Sequence, residues 1–216
     1  MIGLIRMSLG NLLSVRNALN RIGLACKDLN APDEMSTVDA VVLPGVGAFH
    51  EAMNSLDRSG FIGPLQDLAR KGRTPVLGIC LGMQLLADES DEHGLHKGLS
   101  LIPGRVTRLI ENEIENKVPN IGWCQTSFQR RSVFMPDDTG SRTFYYVHSY
   151  HFVPRNAEAI AATIRLGSKE VVAAVEQGSV AGIQFHPEKS QDDGLDMLAH
   201  WAKANALPRH HLVRGI

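Results

Sequence analysis

Apolar residues along the chain fall into short continuous runs that alternate with stretches of helical spacing. Ile2 to Ile5 is an apolar run of the kind that forms a strand buried on both faces, and from Asn11 to Ile22 the residues Leu12, Val15, Leu19 and Ile22 recur on one helical face until Gly23 ends it. Ala40 to Leu43 is a second buried strand, broken by Pro44-Gly-Val-Gly47, and Phe49 to Leu56 and Ile62 to Ala69 return to helical spacing. Pro75 to Ile79 predicts a third strand and Leu81 to Ala87 the helix after it. This alternation over roughly the first ninety residues predicts an α/β fold whose central, mostly parallel sheet is flanked by helices, with chemistry gathered at the carboxyl edges of the strands. Beyond Leu101 the pattern shortens to strands at Arg105 to Leu109, Phe144 to Val147, Ala159 to Ile164, Val171 to Glu176 and Val180 to Phe185, which predicts an added antiparallel section. Asn112 to Lys117 and Gln129 to Ser141 read as loops, Gly194 to Ala206 as a terminal helix and 207–216 as a tail, so residues 1–206 form the single predicted domain.

Composition narrows the classes of function. The chain has 216 residues, 44% of them hydrophobic, enough for one sizeable core. Lys and Arg number 22 against 23 Asp and Glu, with no basic cluster, so neither nucleic acid nor an anionic membrane is an expected partner. No stretch approaches the ~20 apolar residues of a membrane span, and Met1 to Leu13, interrupted by Arg6 and Asn11, lacks the form of a secretory signal. The three cysteines, Cys26, Cys80 and Cys124, fit neither a disulfide framework nor a zinc site, which predicts a soluble protein of the reducing cytoplasm without a metal or other cofactor.

One cysteine stands apart. In Thr74-Pro-Val-Leu-Gly-Ile-Cys-Leu-Gly-Met-Gln84, Gly78 and Gly82 flank Cys80 where an apolar strand meets a helical pattern. That is the sequence form of a nucleophile elbow, in which small residues permit a tight turn and the central side chain projects above the sheet. The following helix N-terminus favours thiolate. A nucleophile of this kind needs a base and the base an orienting group. Val180-Ala-Gly-Ile-Gln-Phe185 runs as a buried strand into His186-Pro-Glu188, putting an imidazole and a carboxylate at another strand's carboxyl end. If this strand lies beside the elbow strand, His186 reaches the Cys80 sulfur and Glu188 holds the other ring nitrogen. Attack on a carbonyl also requires amide donors for the developing oxyanion, each worth ~3 kcal/mol; the N–H of Leu81 and that of Val46, in the glycine loop, are the candidates. Cys26, Cys124, His210 and His211 read as ordinary core or surface residues, and Glu111 to Glu115 as a solvated run.

Gly78-Ile-Cys-Leu-Gly-Met-Gln84 together with His186-Pro-Glu188 resembles the class I glutamine amidotransferases, of flavodoxin-like fold, whose triad is Cys, His and Glu. Within that class, Pro44-Gly-Val-Gly-Ala-Phe49, Val118-Pro-Asn-Ile-Gly-Trp123, Tyr145-Tyr-Val-His-Ser-Tyr150 and Phe185-His-Pro-Glu-Lys-Ser190 are similar to the glutaminases that feed a cyclase of histidine biosynthesis. The resemblance implies that Cys80 attacks the side-chain amide of glutamine, His186 protonates the departing ammonia, Glu188 orients His186, and water hydrolyses the glutamyl thioester. It further implies that Gly47, Gln84 and Glu92 grip the amino acid end of glutamine while His148, Ser149 and Tyr150 close over it. Asn11, Trp123, Tyr145 and Lys189 would face the partner, a (β/α)8 barrel that receives ammonia through a tunnel. The chain departs from the pattern at Arg6-Met-Ser-Leu-Gly-Asn11, where the family has Asp-Tyr-Gly before Gly-Asn, and at Asn120 and Cys124, which stand for His and Asn. Two other readings use the same residues: a glutaminase serving another synthase, such as one aminating a sugar, and a stand-alone γ-glutamyl cysteine hydrolase.

Overall fold

The computed structural model describes residues 1–7, 12–110, 117–135 and 139–208. In chain order the elements are β1 (Ile2–Ile5), α1 (Leu12–Arg21), β2 (Cys26–Leu29), β3 (Ala40–Gly45), α2 (Phe49–Arg58), α3 (Ile62–Lys71), β4 (Val76–Cys80), α4 (Leu81–Leu85), β5 (Glu89–Ser90), β6 (His96–Lys97), β7 (Gly104–Arg108), β8 (Asn120–Phe128), β9 (Gly140–His148), β10 (Tyr150–Pro154), β11 (Ile160–Leu166), β12 (Lys169–Gln177), β13 (Val180–Ile183) and α5 (Gln191–Ala204). A nine-stranded sheet runs in the order β2-β1-β3-β4-β13-β12-β11-β8-β9. Its first five strands pair in parallel and the rest antiparallel, so the α/β architecture with an antiparallel extension expected from the sequence is the one found.

The parallel strands β1, β3, β4 and β13 are buried at every residue, which is why they read as unbroken apolar runs. Successive side chains point to opposite faces, so Ile2 and Leu4 join Val15 and Leu19 of α1 and Trp201 of α5 in one core, while Ile5 joins Phe49 and Leu56 of α2 and Leu65 of α3 in the other. Helices thus cover both faces of the sheet.

Several elements differ from the sequence expectation, each for a local reason. β2 carries Lys27 and Asp28 and lies at the sheet edge, where only Leu29 is buried and Asp28 pairs with Arg16, so it lacks an apolar signature. The predicted strand at 105–109 does not extend the main sheet; as β7 it belongs to a separate four-stranded sheet, ordered β10-β7-β5-β6. β9 begins at Gly140, so Gly140 and Ser141 belong to a strand and not to the loop read over 129–141. α4 ends at Leu85, and the backbone tightens to bonds from Leu86 N–H to the Met83 carbonyl and from Ala87 N–H to the Gln84 carbonyl. This helix is therefore too short to add much dipole to its first turn. α5 starts at Gln191, three residues ahead of Gly194, with Asp192 and Asp193 in its first turn, where acidic side chains complement the helix dipole. Leu207 is buried in the core; the expected tail beyond Pro208, the charge run at 111–115 and all of the expected loop at 112–117 except Lys117 lie outside the described residues.

The junction of β4 and α4 is closed by backbone contact. A Cβ on Gly82 would lie well inside the van der Waals surface of the Leu43 carbonyl oxygen, and one on Gly78 would sit 2.5 Å from the Gly82 carbonyl oxygen. Because backbone cannot yield as a flexible side chain can, Gly82→Ala is expected to cost about 3 kcal/mol or more. Urea denaturation of the variant against the parent chain measures this; a change below about 0.5 kcal/mol would show that the turn relaxes.

Candidate active site

Strand register assembles the site. In the parallel pair of β3 and β4, Gly45 lies opposite Cys80, so the loop carrying Val46 and Gly47 emerges beside the sulfur. On the other flank β13 pairs with β4, with Ile183 opposite Ile79, so Gln184 is the next residue at the level of Cys80 and His186 follows two residues on. Cys80 has φ 55° and ψ −111°, a conformation L-residues avoid and one that costs ~1–3 kcal/mol. The tight turn that the flanking glycines predicted is present, and its strain falls on Cys80.

His186 and Glu188 form the other half of the site. The His186 Nδ1 to Glu188 Oε1 distance is 2.8 Å, with both side chains almost wholly buried. Two backbone anchors hold them: His186 N–H donates to the Tyr145 carbonyl at 2.9 Å, and the Ser190 hydroxyl, at the end of the 3-10 turn Pro187–Lys189, donates to the His186 carbonyl at 2.6 Å. Burial alone would lower the imidazole pKa, but the neighbouring Cys80 sulfur and the Glu188 carboxylate outweigh it and raise it to about 9. Among the described residues, Nε2 has no hydrogen-bond partner, which does not rule it out as a base, because such bonds often tighten only once substrate binds. The structure thus brings Cys80, His186 and Glu188 together at one sheet edge.

A cavity of about 490 Å³ opens over Cys80. Val46, Gly47, Leu81, Gln84, Glu92, His148, Ser149, Tyr150 and His186 all line it with Cys80, so every residue proposed from sequence for oxyanion or substrate contact borders one space. Gly47 has φ 105°, a conformation glycine adopts without strain. The Glu92 carboxylate accepts the Phe49 N–H at 2.7 Å, tying the segment before β6 to the start of α2 just beyond the glycine loop. Arg108 and Pro119 also line the cavity and were not singled out from the sequence. Arg108 ends β7, and only the pairing of β7 with β10 in the second sheet reveals that it faces the same space as Tyr150.

His148 is held in the opposite protonation state to His186. Its Nδ1 lies 2.8 Å from the Tyr150 carbonyl, which can only accept, so Nδ1 carries the proton and Nε2 accepts from the Asn120 amide at 3.1 Å. The Cys124 thiol in turn donates to Asn120 Oδ1 at 3.7 Å. Asn120 and Cys124, where the chain departs from the pattern of the family it resembles, therefore form one network against His148. Burial, little offset by the Tyr150 bond, lowers the His148 pKa to about 4.

Trp123, Tyr145 and Lys189 gather on the surface next to the cavity. The Trp123 and Tyr145 rings are 6.0 Å apart and inclined at 72°, and Lys189 Nζ lies 5.8 Å over the Tyr145 ring, a cation–π contact where a solvated lysine is the usual expectation. Ile121 and Trp123 point outward from β8 and are 61% and 49% exposed, whereas polar Asn120 and Thr126 point inward. Asn11 lies outside the described residues.

A cysteine at a strand-to-helix elbow, with the His186 and Glu188 pair just beyond the neighbouring parallel strand, is the arrangement of an amidotransferase built on an α/β sheet. The glutamine amidotransferase class-I family model matches residues 10–203, and the chain belongs to that family. Among its relatives, the imidazole glycerol phosphate synthase subunit HisH of Moorella thermoacetica is 41% identical over 97% of this chain and 96% of its own. That of Syntrophotalea carbinolica is 43% identical over 93% of this chain and 98% of its own. A crystal structure of a glutamine amidotransferase superposes with TM-score 0.74 at 18% identity, covering 95% of this chain and 98% of its own, a likeness of fold. Among the described residues, no helix is long and apolar enough to cross a membrane.

The buried neutral His148 makes stability depend on pH. Its folded pKa, about 4, lies below the ordinary value of 6.5, so the unfolded chain binds more protons between these limits and stability is lost as pH falls from 6.5 toward 4. The loss at the acid end of this window is expected to be about 3 kcal/mol. His148→Gln should flatten this limb, as read from urea midpoints at neutral and mildly acid pH; an unchanged slope would show that His148 does not carry it.

Proposed function

We propose that the chain is the glutaminase subunit of an imidazole glycerol phosphate synthase. It hydrolyses glutamine to glutamate and ammonia and passes the ammonia to a (β/α)8 cyclase subunit, which uses it to make imidazole glycerol phosphate and AICAR in cytoplasmic histidine biosynthesis. The observation that carries this reading is the triad at the elbow in a chain whose relatives over nearly their full length bear that name. Free thiols at Cys26, Cys80 and Cys124 accord with a reducing compartment.

The chemistry follows from the geometry. The Cys80 sulfur attacks the amide carbon of glutamine, and the resulting oxyanion takes hydrogen bonds from the Leu81 N–H and, from the glycine loop, the Val46 N–H. The raised pKa of His186 keeps its ring protonated at neutral pH, which suits a general acid. It gives its proton to the leaving nitrogen, the carbon–nitrogen bond breaks, and ammonia departs from a glutamyl thioester. The now neutral imidazole draws a proton from water, which attacks the thioester and frees glutamate and Cys80. Glu92 and Arg108, of opposite charge and both lining the cavity, suit the ammonium and carboxylate of an amino acid, with Gly47, Gln84, His148, Ser149 and Tyr150 completing the pocket.

For the partner, the supporting feature is the exposed pair Ile121 and Trp123 on β8, together with the edge-on Trp123 and Tyr145 rings and Lys189 over the Tyr145 ring. Exposed Trp and Tyr side chains are the residues in which interface hot spots are enriched. Asn11 belongs to this face by resemblance.

Three outcomes are expected. In the complex with the barrel cyclase, Cys80→Ala abolishes synthesis from glutamine and leaves synthesis from added ammonia intact; loss of both would make the cysteine structural. No stimulation of the parent chain by the cyclase and its nucleotide ligand would assign the ammonia to another acceptor. Glu188→Gln removes a charge that raises the His186 pKa, so the alkaline limb of glutamine hydrolysis moves to lower pH and kcat falls by about 10²-fold or more; an unmoved limb would remove Glu188 from the triad. Trp123→Ala weakens binding to the cyclase by about 2 kcal/mol, roughly thirtyfold in Kd by calorimetry, and an unchanged Kd would place the interface elsewhere.

A further inference from the structure

Gln184 is a polar residue with no exposed surface, in a segment where its neighbours Ile183 and Phe185 are apolar. A primary amide there must find partners, because each unmet hydrogen-bonding group in a core is costly. Its partners are specific. Gln184 Nε2 donates to the Cys80 sulfur at 3.7 Å, and Gln184 Oε1 accepts from Gln84 Nε2 at 3.0 Å.

The direction of these bonds is set by the backbone. The Tyr150 carbonyl can only accept, and it lies 2.9 Å from the Gln84 side-chain nitrogen and 2.8 Å from His148 Nδ1. A carbonyl facing a carbonyl would repel, so the Gln84 amide must turn its NH₂ toward Tyr150. The second hydrogen of that NH₂ then meets the Gln184 oxygen, which leaves the Gln184 NH₂ aimed at sulfur. Starting from one main-chain oxygen, each amide fixes the next, and the series ends with an N–H donor on the nucleophile.

We infer that Gln184 is a fourth catalytic residue, whose amide holds the Cys80 sulfur in place and stabilises it as thiolate. The inference rests on the reading of Cys80 as nucleophile and adds to it. A hydrogen bond to an ionised acceptor is about twice as strong as a neutral one, so the Gln184 donor favours the charged sulfur over the thiol. It also approaches from β13 at the level of Cys80, whereas the oxyanion donors belong to the chain after Cys80 and to the glycine loop. The donor is needed because α4 is too short to supply much dipole. A second consequence concerns Gln84: both its amide hydrogens are committed to Tyr150 and Gln184, so only its oxygen is left for substrate, as an acceptor suited to an ammonium group.

The test is the pH dependence of alkylation of Cys80 by iodoacetamide in the full-length chain, with Cys80 followed separately from Cys26 and Cys124 by peptide mass spectrometry. In Gln184→Met, which preserves length but has no donor, the midpoint of the alkylation profile moves upward by about one to two pH units, the size expected for loss of a charge-assisted hydrogen bond. Gln184→Glu keeps the shape and replaces the donor with an acceptor, so its midpoint moves upward as well, and it serves if the Met variant does not fold. Gln84→Met frees the Gln184 amide to rotate and produces a smaller shift in the same direction. A loss of stability alone leaves the midpoint in place, so an unmoved midpoint in a folded Gln184 variant overturns the inference. Failure of the nucleophile reading is separately visible, as glutamine hydrolysis that survives Cys80→Ala.

Discussion

The site depends on three parallel strands ending at the same height. β3, β4 and β13 lie side by side in the buried centre of the sheet, and their register sets Gly45, Cys80 and the start of Gln184-Phe-His186 in a row. Nothing in the loops alone would hold a cysteine in its strained conformation. What holds it is main chain against main chain, with Gly82 pressed onto the Leu43 carbonyl and Gly78 onto the Gly82 carbonyl. A cost of ~1–3 kcal/mol at Cys80 is tolerable because the strands on both flanks are fully buried and cannot shift to relieve it.

Two histidines near one cavity illustrate how environment assigns roles. His186 faces a carboxylate and a sulfur and is held protonated, with a pKa of about 9; His148 faces a carbonyl and an amide and is held neutral, with a pKa of about 4. Both are buried, so burial does not separate them. Charge in the immediate surroundings does, and in this way one cavity holds a protonated and a neutral imidazole at the same pH.

Much of this was legible in the sequence where burial is two-sided or a residue type is chemically unusual. The central strands read as apolar runs, the helices as periodic stripes, and Cys80, His186 and Glu188 stood out because glycines permit a tight turn around the first and a proline restricts the backbone between the other two. The remainder escaped for identifiable reasons. β8 mixes its two faces, with Ile121 and Trp123 outward and Asn120 and Thr126 inward beside the buried Phe128, so a search for an apolar inner face passes over it. β5 and β6 are two residues each, too short for any period. Arg108 joins the cavity only through pairing in the second sheet. Gln184 was visible as a polar interruption of an apolar strand, and that anomaly was the available signal for a buried polar contact.

Ser190 joins the two halves of the molecule that matter most. Its hydroxyl accepts the Tyr145 N–H at 2.9 Å and donates to the His186 carbonyl at 2.6 Å, while the His186 N–H returns to the Tyr145 carbonyl. The aromatic ring on the surface and the imidazole in the cavity are thus stitched to each other through main chain on both sides. Pressure applied at that outer edge has no slack to take up before it reaches the imidazole, so a partner docking against Tyr145 would set the pose of His186.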